Sequence, residues 1–419
     1  MRFSVISVVI VWMSYIVCGL KYESKRSKAL RLPLNNSNKD RFQLLMLLAY
    51  GSSHYMKNIE LNKVDEISIL TWNVLAPIWV EEDKLKKTGI VDMNLLDINM
   101  RLKLIAHEIL RIDADIVTLQ ETQDDTHRII SRAIRDVYSE IPHTAHGKEH
   151  WKEYVERSDT YVKNGVSTFY KRSKFVVLSA EEVLLSDNKN YALGVVFRMK
   201  KMSHQKESLI GPPITVMNCH LQHNAELKDA LLRRRQVHRM VEWVTKQYNE
   251  HEKNLHGKPL TFLSGDFNTD TGYPAWQYLT SLGYVDAKTA LNVPDNILSL
   301  FYATPHVSKV LNRTFDGIFL DRVFARKDDI KSGRVDFKSL TIPNILAGDR
   351  EEAEHHLRAL DILFKNLGDE KANFRKDVTS FLKLMSSRSD GSEYNQYLNR
   401  ALRSGSDHLP VTVTFNLKN

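Results

Sequence analysis

Cysteine is almost missing from this chain. There are two, Cys18 and Cys219, and Cys18 sits in an apolar leader. Once that leader is removed no intramolecular disulfide can form, which excludes the disulfide scaffolds of small secreted domains. Cys and His never cluster at zinc spacing, so a structural zinc site is excluded as well. No internal repeat and no low-complexity tract is present, which argues against a solenoid or a disordered chain. Charge is missing from Phe3–Leu20, eighteen residues reading FSVISVVIVWMSYIVCGL between Arg2 and Lys21. That layout predicts a secretory signal peptide over residues 1–20, or a signal anchor, and places the protein in the secretory pathway, secreted or membrane-associated.

The remaining composition is that of a globular protein large enough for a substantial core, with 42% apolar and 26% charged residues in 419. Lys and Arg number 59 against 51 Asp and Glu, a formal net charge of +8, which favours contact with phosphates or anionic membranes. Residues 21–63 read as a basic linker, with the run KYESKRSKALR at 21–31. From Ile67 the texture changes. Ile67–Trp72 reads as a strand, Leu102, Ile105, Ala106, Ile109 and Leu110 as one face of a helix, and Ala114–Leu119 as the next strand. Strands at Ile214–Asn218 and Leu260–Leu263 follow, separated by a long helix with Leu231, Val237, Val241 and Val244 expected inward; a further helix begins near Pro274. This alternation predicts an α/β architecture. A possible capping box at Asp349 and Glu352 opens a helix through Leu367, and a second apolar face follows at Phe374–Met385, so residues 340–404 are expected to be a helical insertion before the last strand.

Polar residues gather where the predicted strands end. Asn73 closes TWN, Glu121 closes LQE, Asn218 and His220 belong to NCH, and Asp266 and Asn268 to SGDFN. Asp321 lies in FLDRVF, and Asp407 and His408 open SDHLP. Ligands of open α/β sheets sit at strand C-termini, so these side chains are expected to converge. Each type suits phosphodiester hydrolysis with a hard divalent metal. Asn73, Glu121 and Asp407 offer the oxygen ligands that Mg²⁺ (or Mn²⁺) takes. His408 fits a general base, or a phosphate-polarising acid, with Asp321 as its orienting carboxylate. Asp266 and Asn268 would position water and developing charge, and His220 would donate to a phosphoryl oxygen. Of Arg233, Arg234 and Arg235 one is expected to face the site, taken as Arg233, and Asn218 is a second candidate substrate contact. The remaining histidines are assigned to the surface. Gly265 is read as a bend, and Asp270 as an ordinary turn residue.

In order, TWNV, LQET, NCHL, GDFN, LDRVF and SDHLP resemble the endonuclease/exonuclease/phosphatase superfamily, across about residues 64–339 and 405–419. The look is nearest to its deadenylase-like branch of nocturnin and Angel-type proteins, through WNVLAP at 72–77, DADIVTLQET at 113–122, NGVSTFYK at 164–171 and RRRQV at 233–237. The resemblance implies a four-layer sandwich, two mixed β-sheets face to face with helices outside, and Mg²⁺- or Mn²⁺-dependent phosphoester cleavage. It implies the metal site at Asn73 and Glu121 with Asp407 beside it, a phosphate contact at His220, the catalytic pair Asp266 and Asn268, and Asp321 as partner of His408. This chain has Arg322 where the family often has Tyr, and a lengthened interval from Asp321 to His408. The expected activity is a phosphodiesterase acting on nucleic acid as a monomer. The alternative is a sphingomyelinase-like or inositol-phosphate phosphoesterase of the same fold, favoured by the leader and the basic linker. A scaffold without turnover is the third reading, and His408 and Asp266 speak against it.

Overall fold

A computed structural model describes residues 66–77, 98–145, 164–186, 190–203, 206–223, 226–253, 257–293, 320–342, 406, 408–417 and five helical positions between 359 and 366. Contacts divide the chain into Met1–Met46, which lies outside the described residues together with the expected leader and most of the linker, and Leu47–Asn419, to which everything below belongs. The expected ligand Asp407 and the expected helix at Phe374–Met385 also lie outside the described residues.

The elements in chain order are β1 (Glu66–Asn73), α1 (Ile98–Ile112), β2 (Ile116–Gln123), α2 (Asp124–Ile134), β3 (Tyr138–Ala145), β4 (Asn164–Lys171), β5 (Phe175–Leu184), β6 (Tyr191–Ser203) and β7 (Lys206–His220). They continue as α3 (Leu227–Lys253), β8 (Leu260–Asp266), α4 (Pro274–Ser281), β9 (Tyr284–Asp286), α5 (Ala287–Ala290), β10 (Asp321–Arg326), α6 (Lys327–Lys331), β11 (Val335–Thr341) and β12 (Val411–Leu417). The strands form two mixed six-stranded sheets, ordered β11-β12-β1-β2-β4-β3 and β5-β6-β7-β8-β10-β9.

Three apolar clusters explain the layering. Ile67, Ile69, Ile116 and Val166 of the first sheet meet Val195, Phe197, Val216 and Phe262 of the second between the sheets. The opposite face of the first sheet, with Leu70, Trp72 and Leu119, packs under α1 and α2 through Leu102, Ile105, Ile109 and Ile130. The outer face of the second sheet, with Val196, Met217 and Leu263, packs under α3 and α4 through Val237, Met240, Val244 and Leu279. Central strands are covered on both faces, so β8 is buried at every position and reads as a nearly unbroken apolar run. Ala359 and Leu363, from the stretch expected to be an insertion, are helical and join the α1/α2 layer. Leu231, expected inward on α3, is instead 46% exposed.

The order places one edge of each sheet for chemistry. β1 and β2 run parallel, as do β7 and β8, with helical crossovers between them, so their C-terminal ends share one edge. β12 is antiparallel to β1 and β10 antiparallel to β8. Both therefore begin at the edge where their neighbours end, and the first residues of β10 and the segment before β12 arrive there.

Candidate active site

A row of backbone register builds half of the site. His220 of β7 pairs with Asp266 of β8, and Asp266 pairs with Asp321 of β10. Three polar side chains thus stand side by side across the end of the second sheet. Asp321 opens its strand and does not close it; the antiparallel direction of β10 brings it to the shared edge. The facing sheet supplies Asn73 at the end of β1, Glu121 near the end of β2, and His408 just before β12.

Two backbone irregularities aim these groups. The β2–β4 register slips between Gln120 and Thr122, and Glu121 there has φ 58. A bulge of this kind re-aims a side chain that alternation would otherwise send elsewhere. After β8 the chain does not continue extended; Asn268 takes φ 45 and its backbone N–H donates to Asp266 Oδ1 at 2.8 Å. Such a left-handed turn is one that Asn accepts more readily than most residues. Gly265 is more than a bend, because it has φ 149 and a Cβ there would sit 2.0 Å from the carbonyl oxygen of Cys219 on β7. Only glycine lets the two strands approach closely enough to align His220 with Asp266.

The side chains converge on Asp266 Oδ2, in a residue 1% exposed. Asn73 Nδ2 donates to it at 3.1 Å, His220 Nε2 lies 3.6 Å away and His408 Nε2 3.9 Å. The same Asn73 Nδ2 donates to Glu121 Oε1 at 2.8 Å, and Ala76 N–H donates to Glu121 Oε2 at 2.8 Å. His408 Nδ1 is 2.7 Å from Asp321 Oδ2. The carboxylate accepts, so Nδ1 carries the proton and Nε2 turns toward Asp266 with its lone pair. His408 is anchored through its backbone as well: Trp72 Nε1 donates to its carbonyl at 3.0 Å, its N–H reaches Ser406 Oγ at 3.2 Å, and Ser406 Oγ donates to the Asn73 carbonyl at 2.6 Å.

Asn73, Glu121, His220, Asp266, Asn268, Asp321 and His408 are therefore brought together at one place. Arg233 is near them and 3% exposed. Its Nη1 donates to the Gln222 carbonyl at 2.9 Å, so it ties down the loop that carries His220. Asn218 is a correction. Its Nδ2 donates to the Ser167 carbonyl at 2.8 Å and the Leu119 carbonyl at 3.2 Å, and its Oδ1 accepts from Gln120 Nε2 at 2.9 Å. Fully buried with its amide committed on both sides, it clasps the two sheets beneath the site and has nothing left for a substrate.

Two features escape sequence reading. His223 lies at the rim and is exposed, yet burial of part of its surroundings and the nearby His220 hold its pKa below the usual histidine value, against Asp229 and Asp266, which raise it. It belongs to the site neighbourhood, not to a remote surface; its place three residues after His220 was the available signal. Arg322 is fully buried and pairs with Asp286 and with Asp270, the latter at 3.1 Å, while its Nε donates to the Thr269 carbonyl at 3.1 Å. Asp270 is thus an ion-pair partner and not a plain turn residue. Arg322 holds the chain that leaves Asn268, on the strand that presents Asp321 next door. Cys219, buried beside Asp266, has its thiol pKa raised by burial first and by that carboxylate second, which leaves it inert.

Oxygen donors dominate the open side of this arrangement. Glu121 is 14% exposed and offers the carboxylate oxygens that suit Mg²⁺ or Mn²⁺ and not zinc; Asn73, expected as a second ligand, instead turns its Nδ2 to Glu121 and Asp266 and accepts the Leu75 N–H on its Oδ1 at 3.0 Å, so it aligns the two carboxylates. Among the described residues Asp266, Asp321 and His408 also present ligand atoms that all lie within 4.8 Å of one another, a second place where a cation could be held. There, however, His408 and Asp321 already hold each other.

A sequence profile of the Endonuclease/Exonuclease/phosphatase family matches residues 70–341. Protein angel of Drosophila melanogaster is 27% identical over 216 residues, 50% of this chain and 54% of that protein; the chain matches about half the length of this relative. Among solved structures, an endonuclease/exonuclease/phosphatase family protein from Bacteroides thetaiotaomicron covers 84% of this chain and 98% of its own, at 15% identity and TM-score 0.49. The human Nocturnin catalytic domain with bound sulfate covers 85% and 95%, at 14% identity and TM-score 0.49.

Proposed function

The chain belongs to the endonuclease/exonuclease/phosphatase family of phosphoester hydrolases, and from that premise we propose that it is a divalent-metal-dependent phosphodiesterase acting on nucleic acid. The observation that carries the reading is the convergence on Asp266 Oδ2 of Asn73, His220 and a His408 already oriented by Asp321. One carboxylate oxygen there faces an amide and two imidazoles, which is a place for a water molecule and a phosphoryl group, not for core packing.

In the proposed reaction water sits between Asp266 and His408. As its oxygen bonds to phosphorus and the bond to the leaving oxygen breaks, its proton passes to His408 Nε2, and Asp321 stabilises the imidazolium that forms. His220 Nε2 donates to a phosphoryl oxygen, and Asn268, pinned by its bond to Asp266, borders the same space. The leaving oxygen takes a proton from solvent. Glu121, held in place by the Asn73 Nδ2 bond, would hold Mg²⁺ or Mn²⁺, which when bound supplies Lewis-acid stabilisation of phosphate charge. The positive balance of the chain favours a polyanionic substrate over a single small phosphate ester.

The test is hydrolysis of labelled RNA and DNA by the wild type and His408→Ala, with Mg²⁺ or Mn²⁺ and with EDTA. Cleavage that needs metal and His408 is the expected result. Intact RNA and DNA, with phosphocholine released from sphingomyelin vesicles or phosphate from inositol phosphates, would move the substrate to the alternative class.

A further inference from the structure

The first half of α3 is built differently from the second. Residues 227–240 carry Lys228, Arg233, Arg234, Arg235 and Arg239 against the single carboxylate Asp229, whereas residues 241–253 balance Lys246 and Lys253 with Glu242, Glu250 and Glu252. Arg233 points inward to the His220 loop. Of the others, Lys228 pairs with Glu226 at 2.8 Å and Arg239 with Glu242 at 3.6 Å, so Arg234 and Arg235 carry the exposed basic face beside α4, where an open cleft of about 550 Å³ is lined by Lys228, Leu231, Arg234, Arg235, His238 and Tyr278.

Three observations make this cleft more than a solvated stripe. Arg234 places its guanidinium 5.0 Å from the centroid of the Tyr278 ring, and His238 Nδ1 lies 2.8 Å from the Tyr278 hydroxyl, so the tyrosine is clamped in a stack. Neither Arg234 nor Arg235 is paired with a carboxylate among the described residues. Leu231 is 46% exposed at the same place, although its position in the pattern of α3 would have sent it inward. Unpaired guanidinium groups, a fixed aromatic plane and an apolar floor in one concavity are what successive phosphates and bases of a single strand require.

We infer that the α3–α4 cleft is an accessory binding track for single-stranded nucleic acid, with Arg234 and Arg235 on phosphates and the Arg234–Tyr278 stack under a base. The inference rests on the proposed nucleic-acid reading and extends it beyond the reaction centre. Both walls of the cleft follow the centre in the chain: α3 comes after the loop that carries His220, which Arg233 holds through Gln222, and α4 starts eight residues after Asp266. A strand whose phosphate accepts from His220 can continue along it. An anionic membrane would also meet Arg234 and Arg235, but an aromatic ring already stacked under a guanidinium fits a base better than a headgroup.

The experiment uses the full chain, its Arg234→Ala/Arg235→Ala double variant and the corresponding double Lys variant, with thermal unfolding to confirm that each is folded. Binding of a fluorescent single-stranded RNA of about 20 nucleotides, longer than the ~4–16 of a typical single-strand site, is measured in EDTA across salt. Hydrolysis of the same RNA and of a dinucleotide is measured with Mg²⁺. The Ala pair is expected to weaken RNA binding about tenfold and to lower the salt slope by about 1.4, two phosphates at ~0.7 each. The ratio of kcat/KM on long RNA to that on the dinucleotide should fall with it. The Lys pair should keep the slope and lose part of the affinity through the lost stack. Unchanged RNA affinity and slope in a folded Ala pair overturns the track, and so does loss of binding to phosphatidylserine vesicles with RNA binding intact. If the wild type binds RNA through Arg234 and Arg235 but cleaves none, the track stands and the hydrolase reading falls. If it cleaves and the Ala pair is indistinguishable on both substrates, the hydrolase reading stands and the track falls.

Discussion

Among the described residues, His408 and His127 each sit between an acid and a hydroxyl or a second carboxylate, and they end up as different things. His408 has Asp321 at 2.7 Å on Nδ1 and Asp266 at 3.9 Å from Nε2. His127 has Ser167 Oγ at 2.9 Å on Nδ1 and Glu140 Oε2 at 3.1 Å on Nε2. By distance alone the second is the better imitation of a hydroxyl–imidazole–carboxylate nucleophile. Burial inverts it: Ser167 is fully buried and also shares a hydrogen bond with Thr122 Oγ1 at 2.8 Å, while Glu140 is 48% exposed. A nucleophile sealed in the sheet, with its base stacked on Phe169 at 5.4 Å, has no substrate to meet. In the His408 pair the orienting acid is the buried member and Nε2 looks toward the cluster, so short contacts alone do not make a site; access and convergence of several elements do.

Substitution can break or sharpen that contrast. The largest effect is expected for His408→Ala, which should lower kcat about 10²- to 10⁴-fold, the usual contribution of a general base, while the unfolding midpoint stays near wild type. Asp321→Asn should follow at the same or a smaller loss of kcat with KM little changed, because it removes the acceptor that keeps the proton on Nδ1. Glu121→Gln should raise the Mg²⁺ concentration giving half activity by about tenfold or more, read by metal titration of initial rates. Arg322→Met should act on stability, lowering it by about 3–5 kcal/mol in denaturant unfolding, since it leaves Asp270 and Asp286 buried without their cation. Ser167→Ala should cost about 1–3 kcal/mol from the buried hydroxyl partners it abandons and leave kcat at the wild-type value. A collapse of kcat in Ser167→Ala, with His408→Ala active, would reverse the assignment of the two histidines.

Much of the fold was legible because central strands and amphipathic helices write their burial into the chain. The strand read at Ile67–Trp72 is β1, and the apolar face from Leu102 to Leu110 lies in α1. β7 is three times longer than the stretch Ile214–Asn218 that announces it, because its first half pairs with β6 and needs no apolar alternation to do so. Site residues were legible as polar side chains where β propensity forbids waste, at the ends of buried strands. What stayed hidden were properties of neighbours distant in sequence: the bulge at Glu121, the close approach that demands Gly265, the inward commitment of Asn218, and the Asp270–Arg322–Asp286 network.

By itself the sequence determined the alternation of strands and helices, through hydrophobic period, and the chemical vocabulary of the site, through which side chains close which strands; the layer order came only from the family resemblance. Only the tertiary structure decided that Asp321 and His408 arrive from antiparallel strands to share one edge with His220 and Asp266, that Asn218 faces the seam, and that Leu231 and Arg234 face out. The physical reason is that composition and periodicity are local, whereas register, strand direction and access are set by pairing between segments up to more than three hundred residues apart, as Trp72 and His408 are.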